Sequence, residues 1–141
     1  MTRYGISAGV VALAFIAGFV AGRETPASAQ GSNRIFEIRT YTMESKAGLD
    51  ALASRMGAGE AQAFERAGMK NIGHFVAAEA PKSETTYVYI LGHASREEAK
   101  ASWAKFQADP AWVKLRTTAT SPGPIKVDSV FVNPTAFSTL K

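Results

Sequence analysis

Apolar and polar residues alternate along Arg34-Ile35-Phe36-Glu37-Ile38-Arg39-Thr40-Tyr41, the period of two that marks a strand. The period then lengthens. Leu49, Leu52, Ala53, Met56, Ala63 and Phe64 fall on one face of a helix over residues 46–67. Gly57 and Gly59 interrupt it, each costing a helix about 1 kcal/mol against alanine, so the spacing predicts a bend. Gly68 is placed to end the helix with a left-handed cap. Residues 69–78, with Ile72, Phe75 and Val76, read as extended, and Pro81-Lys82-Ser83 as a turn. Residues 85–91 form the strongest β run of the chain. Ser95-Arg96-Glu97-Glu98 fits a capping box that opens a helix through Gln107. Asp109-Pro110 then reads as an N-cap with proline at the first helical position, predicting a short helix over 110–116. Pro122-Gly123-Pro124 breaks the chain, and residues 125–132 form a last strand ended by Pro134.

The order βαββαβ predicts an α+β fold, the ferredoxin-like sandwich of an antiparallel sheet with two helices on one face. The other face of such a sheet is bare and should be polar. Here it is not. Tyr87, Tyr89 and Leu91 point one way and Val88 and Ile90 the other, and Val127 and Phe131 oppose Val130 and Val132 in the same manner. No sequence is left for a third layer, so a second copy is the economical cover. Two sheets packed face to face would make a homodimer, a dimeric α+β barrel with a central cavity.

Composition narrows the function. The 141 residues carry 16 Lys and Arg against 12 Asp and Glu, with no cysteine. Thiolate zinc sites, redox pairs, cysteine nucleophiles and disulfides are therefore excluded. The net charge of +4 is scattered and forms no basic face, so no nucleic acid is expected as a partner.

The first residues differ from the rest. Met1-Thr2-Arg3 is followed by an uncharged run to Gly22, and Ala27-Ser28-Ala29 reads as a small-x-small cleavage site. That combination predicts a signal peptide over 1–29, a short linker over 30–33 and one domain over 34–141. An exported protein, periplasmic or secreted, is expected. The alternative is an uncleaved leader acting as a membrane anchor, the one route to a membrane that the chain offers.

Candidate chemistry is sparse. On the first strand Phe36, Ile38 and Thr40 share one face, and Glu37, Arg39 and Tyr41 the other. With the apolar set packed under the helices, Glu37, Arg39 and Tyr41 would line the barrel interior, with Tyr87 and Tyr89 on a paired strand. This set reads either as a pocket that orients a small apolar or aromatic ligand, or as a structural ion pair at the dimer seam. His74 on the second strand is a candidate base or ligand-binding group. His93, at a strand end, is expected in a loop role. Two histidines without cysteine make no metal constellation, and no cofactor motif is present. Trp103, Phe106 and Trp112, at helical spacing, read as core.

Several stretches carry a resemblance. Glu37-Ile38-Arg39-Thr40-Tyr41 resembles the E-[LI]-R-x-Y opening of the NIPSNAP family. The similarity continues through Phe64-Glu65-Arg66-Ala67-Gly68-Met69, Ile72-Gly73-His74-Phe75, residues 103–112 and residues 129–138. Trp103-x-x-Phe106-x-x-Asp109-Pro110-x-Trp112 is its most specific element. His74-Phe75 departs from the Tyr-Trp type pair of many relatives. The resemblance implies a dimeric α+β barrel and a binding or interaction module without an agreed reaction. The alternative is a cofactor-independent monooxygenase-like or isomerase-like enzyme using the cavity, with His74, Tyr41 or Arg39 handling protons.

Overall fold

Four strands, β1 (Ile35–Met43), β2 (Lys70–Val76), β3 (Thr86–His93) and β4 (Ile125–Val132), form one antiparallel sheet in the order β2-β3-β1-β4. The computed structural model describes residues 34–140, so the expected leader and linker lie outside the described residues. Helices α1 (Lys46–Arg55), α2 (Ala61–Arg66), α3 (Arg96–Ala108) and α4 (Pro110–Thr118) complete the α+β, ferredoxin-like domain. Among the described residues no helix is long and apolar enough to cross a membrane.

Local chemistry sets the helix ends. The Ser45 hydroxyl accepts the Gly48 N–H at 3.2 Å, and the Ser95 hydroxyl accepts that of Glu98 at 3.1 Å. Asp109 accepts the Trp112 N–H at 2.8 Å with Pro110 at the first position of α4. The expected bend is present: residues Met56–Glu60 form a π turn in which the Ala61 N–H bonds to the Met56 carbonyl, five residues back. Gly59, at φ 148, supplies a backbone conformation closed to other residues. Gly68 ends α2 at φ 96, as expected.

The core lies between the helices and one face of the sheet. Tyr41, Met43, Tyr87, Tyr89 and Leu91 from the strands meet Leu49, Leu52, Met56, Phe64, Phe106 and Trp112 from the helical side. Phe64 stacks on Tyr89 at 5.6 Å and Trp112 on Phe106 at 4.7 Å.

This face assignment corrects the sequence reading. Glu37, Arg39 and Tyr41 pair across β1 and β3 with Leu91, Tyr89 and Tyr87, so all of them point beneath the helices. Phe36, Ile38 and Thr40 lie on the opposite, helix-free face with Val88, Ile90, Val130 and Val132. The helices outweigh the polarity of the alternation because they supply partners for both charges. Tyr89, completely buried, belongs to the core and not to the open face.

The helix-free face is apolar along Ile38, Ile90 and Val130, with Thr40 and the Lys126–Asp128 ion pair beside them. Val130 and Phe75 are 54% and 53% exposed, and the Phe75 ring lies over Gly73, where a Cβ would stand 2.5 Å from it. At one end, Pro134 and Leu140 of the C-terminal segment border a hollow with Phe36, Ile38 and Ile90. Phe36 is buried there.

Candidate functional site

The first strand carries a charged pair into the interior, and the surrounding elements complete it. Arg39 Nη1 donates to Glu37 Oε1 at 2.6 Å, as does the Ser129 hydroxyl of β4 at 2.7 Å. Oε2 accepts from Trp103 Nε1 of α3 at 2.8 Å and from His93 Nε2 of β3 at 3.1 Å. One carboxylate, 1% exposed, thus joins three strands and a helix. Burial alone would raise its pKa. The bonds from His93, Arg39, Ser129 and Trp103 overcome that and hold it at about 2.

Arg39 is the second half of this arrangement. Its guanidinium lies 4.4 Å from the centre of the Trp103 ring, and Nη2 reaches the Tyr41 hydroxyl at 3.4 Å. The Tyr41 oxygen also accepts the Tyr89 hydroxyl at 2.8 Å. Burial pushes the Tyr89 phenol well above its ordinary pKa. Among the described residues Arg39 Nε has no partner, and neither has Trp112 Nε1 or His93 Nδ1. A covered polar atom without a partner costs a domain about 1–3 kcal/mol.

A cleft of about 1040 Å³ opens between the helices and the β1–β4 side of the sheet. Glu37, Arg39 and Tyr41 lie at its wall with Val127, Ser129 and Phe131 of β4. Trp103 and Phe106 of α3 and Trp112 of α4 form the facing wall. Both tryptophans of the chain therefore line one cleft. Arg55, just before the π turn, and Glu60, its last residue, pair at 2.7 Å, with the Arg55 guanidinium 5.2 Å from the Trp112 ring centre. Burial raises the Glu60 pKa against the pull of Arg55. Arg96 and Lys100 of α3 stand at the rim, Arg96 3.7 Å from the Phe131 ring centre.

The predicted residues divide into two groups. Glu37, Arg39 and Tyr41 come together at the cleft. Tyr87, Tyr89 and His74 share their sheet face but lie outside its lining. His74 stacks on Tyr89 at 5.5 Å, accepts from the Tyr87 hydroxyl at Nδ1 (3.2 Å) and donates from Nε2 to Asn71 Oδ1 (3.0 Å). Asn71 is oriented by its own bond to the Ala61 carbonyl at 2.8 Å. Both imidazole nitrogens are thus engaged, and burial lowers the His74 pKa. His93 is buried on Glu37, which corrects the expected loop role. Among the described residues no group of three His, Cys, Asp or Glu could hold a metal.

Arg55 and Glu60 escape the sequence reading, which places Arg96 only in a capping box and Phe131 only on an apolar strand face. The Arg55–Glu60 spacing of five matches no α-helical face and meets only across a π turn. Arg96 is hidden inside the capping box that marks α3.

The fold and site define a ferredoxin-like α+β domain with an aromatic cleft beneath its helices. The NIPSNAP family model matches residues 36–139, and the chain belongs to that family. Among curated proteins none matches this chain. A NIPSNAP family protein of unknown function from Agrobacterium tumefaciens has a similar structure, with a TM-score of 0.66 and 20% identity over 78% of this chain and 96% of that one. A NIPSNAP-like domain protein from Burkholderia xenovorans is similar at TM-score 0.64 and 20% identity, over 76% of this chain and 90% of that one.

Proposed function

We propose that this protein is an exported, homodimeric small-molecule-binding module whose ligand sits in the cleft between helices and sheet. The carrying observation is the cleft itself: about 1040 Å³, walled by Trp103, Phe106, Trp112 and Phe131, with a charged floor already neutralised by Glu37 and Arg39. Concave, mainly apolar sites with a few placed polar groups are where small ligands bind. The buried pair orients the floor without requiring a charge on the ligand.

Catalysis is not part of this reading. Both ring nitrogens of His74 are committed, and Glu37, held near pKa 2, is too weak a base for proton abstraction near neutrality. The helix-free face, with Ile38, Ile90 and Val130, is the surface through which a second copy would pack, and the leader would direct export.

Native mass spectrometry of the full chain, purified from its own source without denaturation, tests the binding function. A dimer carrying a constant small-molecule adduct is expected, lost in Trp103→Ala. An adduct that persists in Trp103→Ala, or a ligand-free protein that no ring-bearing compound stabilises, would overturn it.

A further inference from the structure

Hydrogen-bonding capacity in the cleft is unbalanced in one direction. Its buried acceptors are occupied: the Glu37 carboxylate by four donors, Glu60 by Arg55, and the Tyr41 oxygen by Tyr89 and Arg39. Its unpartnered buried groups are donors. Arg39 Nε and Trp112 Nε1 have no partner, and Tyr41, accepting twice, keeps its own proton to give. Trp112 is among the buried residues of the core, yet it lines the cleft.

Charge follows the same sense. Glu37 and Glu60 are each matched by an arginine. At the rim, Glu97 is held by a backbone N–H and by Ser95 at the start of α3. Arg96 and Lys100 beside it form no ion pair among the described residues. Four cations, Arg39, Arg55, Arg96 and Lys100, thus face three carboxylates, Glu37, Glu60 and Glu97, in a lining that also offers ring faces.

We propose that the cleft takes aromatic carboxylates, the ring lying against Trp103 and Trp112 and the carboxylate supplying acceptors to the unused donors, an assignment that rests on the cleft being the ligand site. Trp112 Nε1 is covered, so engaging it takes a rotation of the indole toward the cleft, while Arg39 stays on Glu37 and the Tyr41 hydroxyl turns its proton about the C–O bond. The bond to an anionic acceptor favours that rotation. Arg96 and Lys100 attract the anion at the rim, so binding weakens as salt rises.

The chain itself supplies the reporter, since its two tryptophans both line the cleft. Three probes of nearly equal shape, 3-phenylpropionate, 3-phenylpropanol and 3-phenylpropylammonium, are titrated against the full-length protein with excitation selective for tryptophan. The carboxylate is expected to bind at least tenfold more tightly than the alcohol, with the ammonium weakest. Trp112→Phe keeps a ring and removes the N–H, while Arg96→Gln removes rim charge. Each is expected to cut the carboxylate's advantage severalfold while leaving the affinity for the alcohol within about twofold. Equal affinity for acid and alcohol, tightest binding of the ammonium, or an advantage unchanged in both variants overturns the carboxylate assignment while the cleft remains a ligand site. Failure of all three probes to perturb either tryptophan overturns the cleft reading, and this assignment with it.

Discussion

Replacing Glu37 by glutamine keeps the side chain's shape and removes its ability to accept at both oxygens. At the first oxygen stand Arg39 Nη1 and the Ser129 hydroxyl, and at the second Trp103 Nε1 and His93 Nε2. Serine can turn to accept, and so can histidine by changing tautomer. Arginine and the indole cannot. Either orientation of the amide therefore sets its NH₂ against one obligate donor and leaves Arg39 without a counter-charge. The structure bounds the loss from two sides. Lowering the carboxyl from 4.5 to about 2 corresponds to about 3 kcal/mol. Breaking a buried ion pair from one side costs about 3–5 kcal/mol. Glu37→Gln should thus lose about 3–5 kcal/mol in urea unfolding at pH 7, a large share of the stability of a domain this size. The sign with pH is fixed as well. The wild-type contribution is complete above about pH 4.5 and disappears as pH falls toward 2, because the unfolded carboxyl binds its proton first. Asp109, held at about 2 by Arg66, titrates in the same window and stays in the variant, so the acid dependence should shrink without vanishing. A loss below 1 kcal/mol, or an unchanged acid profile, would refute the reasoning.

The other predictions concern backbone, open face and histidine. Gly59→Ala, at φ 148, should cost about 1–3 kcal/mol, whereas Gly57→Ala, whose Cβ meets nothing within 4 Å, should be neutral or slightly stabilising; thermal unfolding of both checks this. Ile90→Asp should yield a folded monomer by light scattering, while Tyr89→Asp, with its side chain in the core, should fail to fold; a dimeric Ile90→Asp protein would remove the open face from the interface. The folded protein holds His74 less basic than the unfolded chain does, so stability should fall as pH drops below about 6.5. His74→Phe should flatten that slope in urea unfolding at pH 7.5 and 5.5, and a slope that persists at full size would assign it to other groups.

Much of this architecture is legible in residue spacing, and the site is legible only in part. The caps at Ser95 and Asp109, the glycine bend and the limits of β4 follow from local chemistry acting over a few residues. The two sheet faces do not. Alternation separates Glu37, Arg39 and Tyr41 from Phe36, Ile38 and Thr40, but carries no sign for which set goes inward. The polar set is inside because Trp103, His93 and Ser129, 56 to 92 residues away along the chain, satisfy it. One local signal does favour that choice: continuing β1 to Met43 adds a buried apolar member to the Glu37 set. The pairing of Glu37 with Arg39 is foreseeable from burial of charge, whereas the cleft above it arises from where α3 and α4 land.

The π turn at Met56–Glu60 acts as a buffer of chain length. It accommodates one residue more than an α turn, and each residue advances a helix by about 100°. The extra residue and the kink at Gly59 are absorbed within the turn, and Ala63 and Phe64 of α2 pack into the same core as Leu49, Leu52 and Met56. Gly57 has no atom near the place its Cβ would occupy, so substitutions there are cheap. Deleting it should be tolerated as well. With one residue fewer the segment closes as an α turn, Phe64 keeps its phase toward Tyr89, and Arg55 and Glu60, then four apart, are still neighbours. The turn therefore stores one surplus residue, and the face presented downstream is kept whether or not that residue is there.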